Sequence, residues 1–72
     1  MVDTKILRRA RQTAGFTLRQ VAEAVQLAPT AIAHYEAGRG RPSNAAATRW
    51  RNGLADMLSR RLQAVQEVLQ AL

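Results

Sequence analysis

Ala47, Trp50, Leu54, Leu58, Leu62, Val65, Leu69 and Leu72 recur at steps of three and four residues, the spacing of one face of an α-helix. In a chain of 72 residues this commits everything after Ser43, itself placed to cap the run, to a single helical element. Residues 1–43 are left to build whatever packs against it. Asn52-Gly53 interrupts the run with a turn signal and a residue that costs about 1 kcal/mol inside a helix. The stripe keeps its phase across that point, so the spacing predicts one continuous or mildly kinked helix.

The first 43 residues are punctuated into shorter pieces. Asp3 or Thr4 can cap a helix over residues 4–14, whose apolar positions Ile6, Leu7, Ala10 and Ala14 recur at helical spacing and which Gly15 is placed to end. Arg11 falls four residues after Leu7, on or beside that stripe, where an arginine needs an acidic partner. Thr17 and Gln20 have the capping-box spacing, and Phe16 with Val21 supplies a hydrophobic staple around them, so a second helix starts at Leu18. It buries Val21, Ala22 and Val25 and stops at Gln26-Leu27, because Pro29 disfavours helical backbone at Ala28 and suits a first helical position itself. A third helix then runs from Pro29 to Ala37, with Gly38 as its stop, Ile32 and Tyr35 inward, and Thr30, Ala33, His34 and Ala37 outward. Gly38, Arg39, Gly40, Arg41 and Pro42 form a basic, glycine-punctuated loop.

The chain is 47% hydrophobic with only three aromatic residues, so the core must come from Ala, Leu, Val and Ile, which suits closely packed helices and an all-α fold. Without cysteine it can form neither a disulfide nor a thiolate metal site, and one histidine among few acids makes no metal site; no metal and no cofactor is expected. No segment resembles a signal peptide or membrane span, which predicts a soluble cytoplasmic protein with no membrane partner. Eleven bases against five acids give a net charge of +6, a balance expected of a protein that neutralises phosphates. Residues 1–43 carry seven bases and three acids, residues 44–72 four and two, so the first part is the stronger anion binder.

Two short helices joined by a tight turn, the second with a small-residue outward face and a basic loop straight after it, describe a major-groove reader in physical terms. The run from Gly15 to Ser43, GFTLRQVAEAVQLAPTAIAHYEAGRGRPS, resembles the helix-turn-helix core of the phage repressor and Cro family, also called the xenobiotic-response-element family. The likeness covers about residues 5–54 and rests on Thr17, Val21-Ala22, Leu27, Ile32, Glu36, Gly38 and Pro42-Ser43 in order. It implies a compact lambda-repressor-like domain, here with an extended C-terminal helix, and pairs Arg11 with Glu36 as a structural ion pair. It also implies base contacts from Pro29, Thr30, Ala33 and His34, and phosphate contacts from Leu18, Arg19, Arg39 and Arg41. The sequence departs from the family in three places. Leu18 stands where glutamine is common, Gln26 stands where the turn usually has glycine, and Ala28 and Ala33 replace polar residues. Only Thr30 and His34 are then left to hydrogen-bond bases, so thymine methyl packing and DNA shape gain weight.

Arg8, Arg9 and Arg49 read as a solvated basic face that adds long-range attraction. His34 has no carboxylate on its own face and no nucleophile at a suggestive spacing, and there is no glycine-rich phosphate cradle, so no enzyme is expected. Residues 1–54 can close a helix-turn-helix core, and residues 55–72 form a helical extension whose Leu58, Leu62, Val65, Leu69 and Leu72 are left over as a dimerisation stripe. A membrane-surface role fits this extension least, because its polar face is mostly Gln63, Gln66, Glu67 and Gln70. The sequence thus predicts a homodimeric transcriptional regulator, a repressor that binds double-stranded DNA with helix 29–37. The other reading is a protein-interaction module, antitoxin-like or anti-regulator, that uses the same fold on a partner protein.

Overall fold

The computed structural model describes residues 2–72, and these form four helices and no strand: α1 Thr4–Thr13, α2 Leu18–Val25, α3 Pro29–Glu36 and α4 Asn44–Ala71. Each helix start has a local cause. Asp3 accepts the Lys5 N–H at 2.9 Å to open α1, and Thr17 and Gln20 exchange reciprocal bonds of 3.0 and 2.8 Å at the start of α2. Ser43 Oγ accepts from Ala46 N at 3.1 Å to start α4. Pro29 opens α3, where its missing N–H costs nothing. Three helices end alike, with a left-handed residue just past the last turn and the N–H beyond it reaching back: Phe16 N to Arg11 O at 3.0 Å, Leu27 N to Ala22 O at 3.1 Å, Arg39 N to His34 O at 2.8 Å. Glycine holds the left-handed position after α1 and α3 (φ +76° at Gly15, +80° at Gly38). After α2 it is Gln26, at φ 58° the one positive-φ residue other than glycine among the described residues.

Leu7, Phe16, Val21, Ala22, Val25, Ile32, Ala47, Trp50 and Leu54 form the core, with Trp50 and Ile32 fully enclosed. The continuity of α4 follows from this packing. A Cβ placed on Gly53 would lie 2.5 Å from Val25 Cγ1, so glycine is what lets α2 approach α4. Its helix cost of about 1 kcal/mol is smaller than the roughly 1.5–3 kcal/mol contributed by each large apolar side chain enclosed beside it, Val25 and Leu54 among them.

The packing differs from the sequence expectation at three places. Ile6 is 65% exposed; adjacent helical residues point about 100° apart, and Leu7 takes the buried direction. On α3 the second buried residue is Glu36, while Tyr35 is half-buried, its ring 6.4 Å from that of Trp50. Finally, Met57 and Leu58 pack against the core, so the packed region runs past residue 54 and Leu58 is half-buried. From Ser59 onward every residue is exposed, including Leu62, Val65, Val68, Leu69 and Leu72, and this free half of α4 stretches the molecule to 45 × 19 × 18 Å.

Candidate nucleic-acid interface

The orientation of α3 is set from its far end. Arg11 Nε and Nη2 donate to the two carboxylate oxygens of Glu36, both at 2.9 Å, and Nη1 donates to Phe16 O at 2.9 Å. One guanidinium therefore ties α1 to the last turn of α3 and to the residue that leads into α2. Both side chains are nearly enclosed, 12% and 5% exposed, so the planar bidentate geometry is what makes their burial tolerable. The hydrogen bonds to Glu36 hold the Arg11 guanidinium charged beyond its ordinary range, against the opposing effect of burial.

With Ile32 and Glu36 turned inward, α3 presents Pro29, Thr30 and His34 to solvent, while Ala33 is half-buried. Thr30 and His34 lie one turn apart on the same face. The loop that follows cannot swing freely at its root, because the Arg39 N–H is bonded to the His34 carbonyl and the Gly38 N–H to that of Tyr35, at 3.1 Å. Arg39 and Arg41 are exposed on this loop, and Gly40, Arg41 and Pro42 share a groove with Asp3 and Thr4 at the start of α1.

At the start of α2 the capping box occupies the N–H groups of Thr17 and Gln20. Those of Leu18 and Arg19 are free of intrahelical partners by helix geometry, and they sit where an anion is favoured. The Leu18 side chain turns half-buried against the core, whereas Arg19 is exposed and lines a shallow hollow with Glu23, Gln26 and Pro29. Among the described residues no three acidic, histidine or cysteine side chains come together to hold a metal, and no helix is long and apolar enough to cross a membrane.

Two arginines have structural contacts that local spacing did not reveal. Arg49 donates to the Gln26 carbonyl at 3.3 Å, supporting the left-handed turn between α2 and α3. Arg61 stacks over the Phe16 ring, 4.4 Å from its centroid, and donates to Ala14 O at 2.7 Å. A signal for Arg61 existed, since it lies seven residues beyond Leu54 on the inward stripe of α4, much as Arg11 lies four beyond Leu7. Arg49 meets a residue 23 positions away and carries no such mark.

Comparison with protein families finds a match to a helix-turn-helix domain over residues 6–58. The match is to the helix-turn-helix domain in general and does not reach the narrower resemblance to phage repressor and Cro proteins. No curated protein and no solved structure matches. The matched span ends at Leu58, where the packed core also ends, and the free half of α4 lies outside it.

Proposed function

The chain belongs to the helix-turn-helix domain family, a class of DNA-binding domain, and on that footing we propose that it is a homodimeric repressor that reads the major groove with α3. One observation carries this reading. Thr30 and His34 are exposed on a helix whose tilt is fixed by the Arg11 to Glu36 bonds, and two exposed arginines follow on a loop bonded to that helix. In this reading Thr30 and His34 meet base edges, with Pro29 and Ala33 packing closely against the groove. Arg39 and Arg41 clamp phosphates on one side, and Arg19 with the free N–H groups of Leu18 and Arg19 holds them on the other. The exposed apolar half of α4 pairs two copies, so the operator consists of two inverted half-sites about 34 Å apart, one helical turn, or a multiple of that. Repression follows from occupancy, since an occupied operator excludes other proteins from the same DNA.

The test is duplex affinity measured over a salt series. The wild type should show a steep loss of affinity with salt, and Arg39→Ala and Arg41→Ala should each weaken specific and random duplexes alike while reducing the slope of log affinity against log salt by about one. Unchanged slopes in both variants would remove the loop from the interface.

A further inference from the structure

The exposed apolar surface is not confined to the free half of α4. Ile6, misplaced in the core by its spacing, is 65% exposed and lines a groove between α1 and α4 with Arg9, Ala10, Thr13, Ala14 and Leu58. Leu58 is at once a wall of this groove and the first residue of the stripe that continues through Leu62, Val65, Leu69 and Leu72. Groove and stripe are therefore one surface. Ile6, Leu62, Val65, Val68, Leu69 and Leu72, exposed at 48–95%, together present on the order of 700 Å² per copy, near the roughly 800 Å² per partner that a specific interface of standard size buries.

We propose that this surface is covered by a second copy of the chain in antiparallel register, with Val65 at the two-fold axis and Leu72 of each copy seated in the Ile6–Ala10–Leu58 groove of the other. The proposal rests on the homodimer reading above and adds to it the register and the α1 groove. The spacing supports it. Reversed about Val65, the stripe falls almost on itself, so that Leu58 faces Leu72 and Leu62 faces Leu69 across the axis. Leu72 then lies about 20 Å along the helix from its own groove and beside that of its partner.

Charge supports the same register. Residues 1–58 carry nine bases and four acids, a net +5, and residues 59–72 two bases and one acid, a net +1. Parallel pairing brings two strongly basic cores side by side at one end of the stem and leaves both grooves open. Antiparallel pairing places the cores at opposite ends and fills both grooves.

Sedimentation and cysteine cross-linking test this together, and a chain without cysteine gives a clean background. Ile6→Glu adds an acid to the first turn of α1, where the helix dipole favours it, at a site exposed in the single copy, so the fold should hold. In the dimer it buries a carboxylate against Leu58 and the incoming Leu72, a cost that pairing with Arg9 one turn on offsets only in part, and it should weaken self-association at least about tenfold. Ile6→Cys combined with Leu72→Cys should yield a covalent dimer under mild oxidation, and Leu72→Cys alone should not. A dimer that survives Ile6→Glu but is lost in Leu69→Glu, or ready cross-linking by Leu72→Cys alone, overturns the register and the groove and leaves the homodimer standing. A wild-type chain that stays monomeric at high micromolar concentration overturns both.

Discussion

The two halves of α4 are parts of one unbroken helix with opposite surroundings. From Asn44 to Leu58 it supplies Ala47, Trp50 and Leu54 to the core and receives Val25 against Gly53. From Ser59 to Leu72 every residue is exposed, with Arg61 reaching back to stack over Phe16, although leucine and valine recur there as regularly as before. An apolar period thus fixes which face of a helix seeks cover but does not say whether its own chain provides it. The first half is finished by folding; the second, on the reading above, is finished by association.

The largest effect is expected where the core holds a charge. Arg11→Met leaves the Glu36 carboxylate enclosed without its partner, and loss of one member of such a pair costs about 3–5 kcal/mol. Against a stability typical of small domains, roughly 5 kcal/mol, this should leave much of the protein unfolded at moderate temperature. Thermal unfolding followed by circular dichroism measures it, and a melting curve like that of the wild type would show that the pair is not enclosed.

A smaller effect distinguishes a glycine that merely interrupts α4 from one the core requires. Gly53→Ala gains about 1 kcal/mol of helix propensity and loses more, because the new methyl meets Val25 Cγ1, a stiff β-branched side chain that is 2% exposed. Overpacking of this kind costs about 1–3 kcal/mol, so the variant should be less stable by up to about 2 kcal/mol. Greater stability in urea unfolding would mean that α2 and α4 stand further apart. Gln26→Gly should act in the opposite direction. It removes a left-handed conformation that costs an ordinary residue roughly 1–2 kcal/mol, less the backbone entropy glycine loses on folding, for a net gain of up to about 1 kcal/mol. The same urea titration should show the midpoint rising.

These residues also mark how far the sequence could be read. Helix starts were legible because their causes lie within three residues: Asp3, Thr17 with Gln20, Pro29 and Ser43 each act locally. The outward positions Thr30 and His34 of α3, with Ala37 at its C-cap, were legible for the same reason, since Ile32 fixes the phase of a short helix, whereas Ala33, expected beside them, is half-buried. Ile6 was not, because Ile6 and Leu7 both satisfy the apolar period and only α3 and α4 packing on α1 selects between them. Nor was the role of Gly53, whose partner Val25 is remote in sequence. The Arg11 to Glu36 bond was half legible: the position of Arg11 demanded an acid, and family resemblance indicated which one.

Whether α3 reads base edges is decided by selecting bound sequences from random duplex DNA with wild type and His34→Ala side by side. The wild type should return a motif of two inverted half-sites. His34→Ala should lose preference at one or two base pairs of each half-site, about 1–3 kcal/mol at each such pair, with random-DNA affinity nearly unchanged. A wild-type pool no different from its input, or a variant pool carrying the wild-type motif, would mean that α3 does not read the bases.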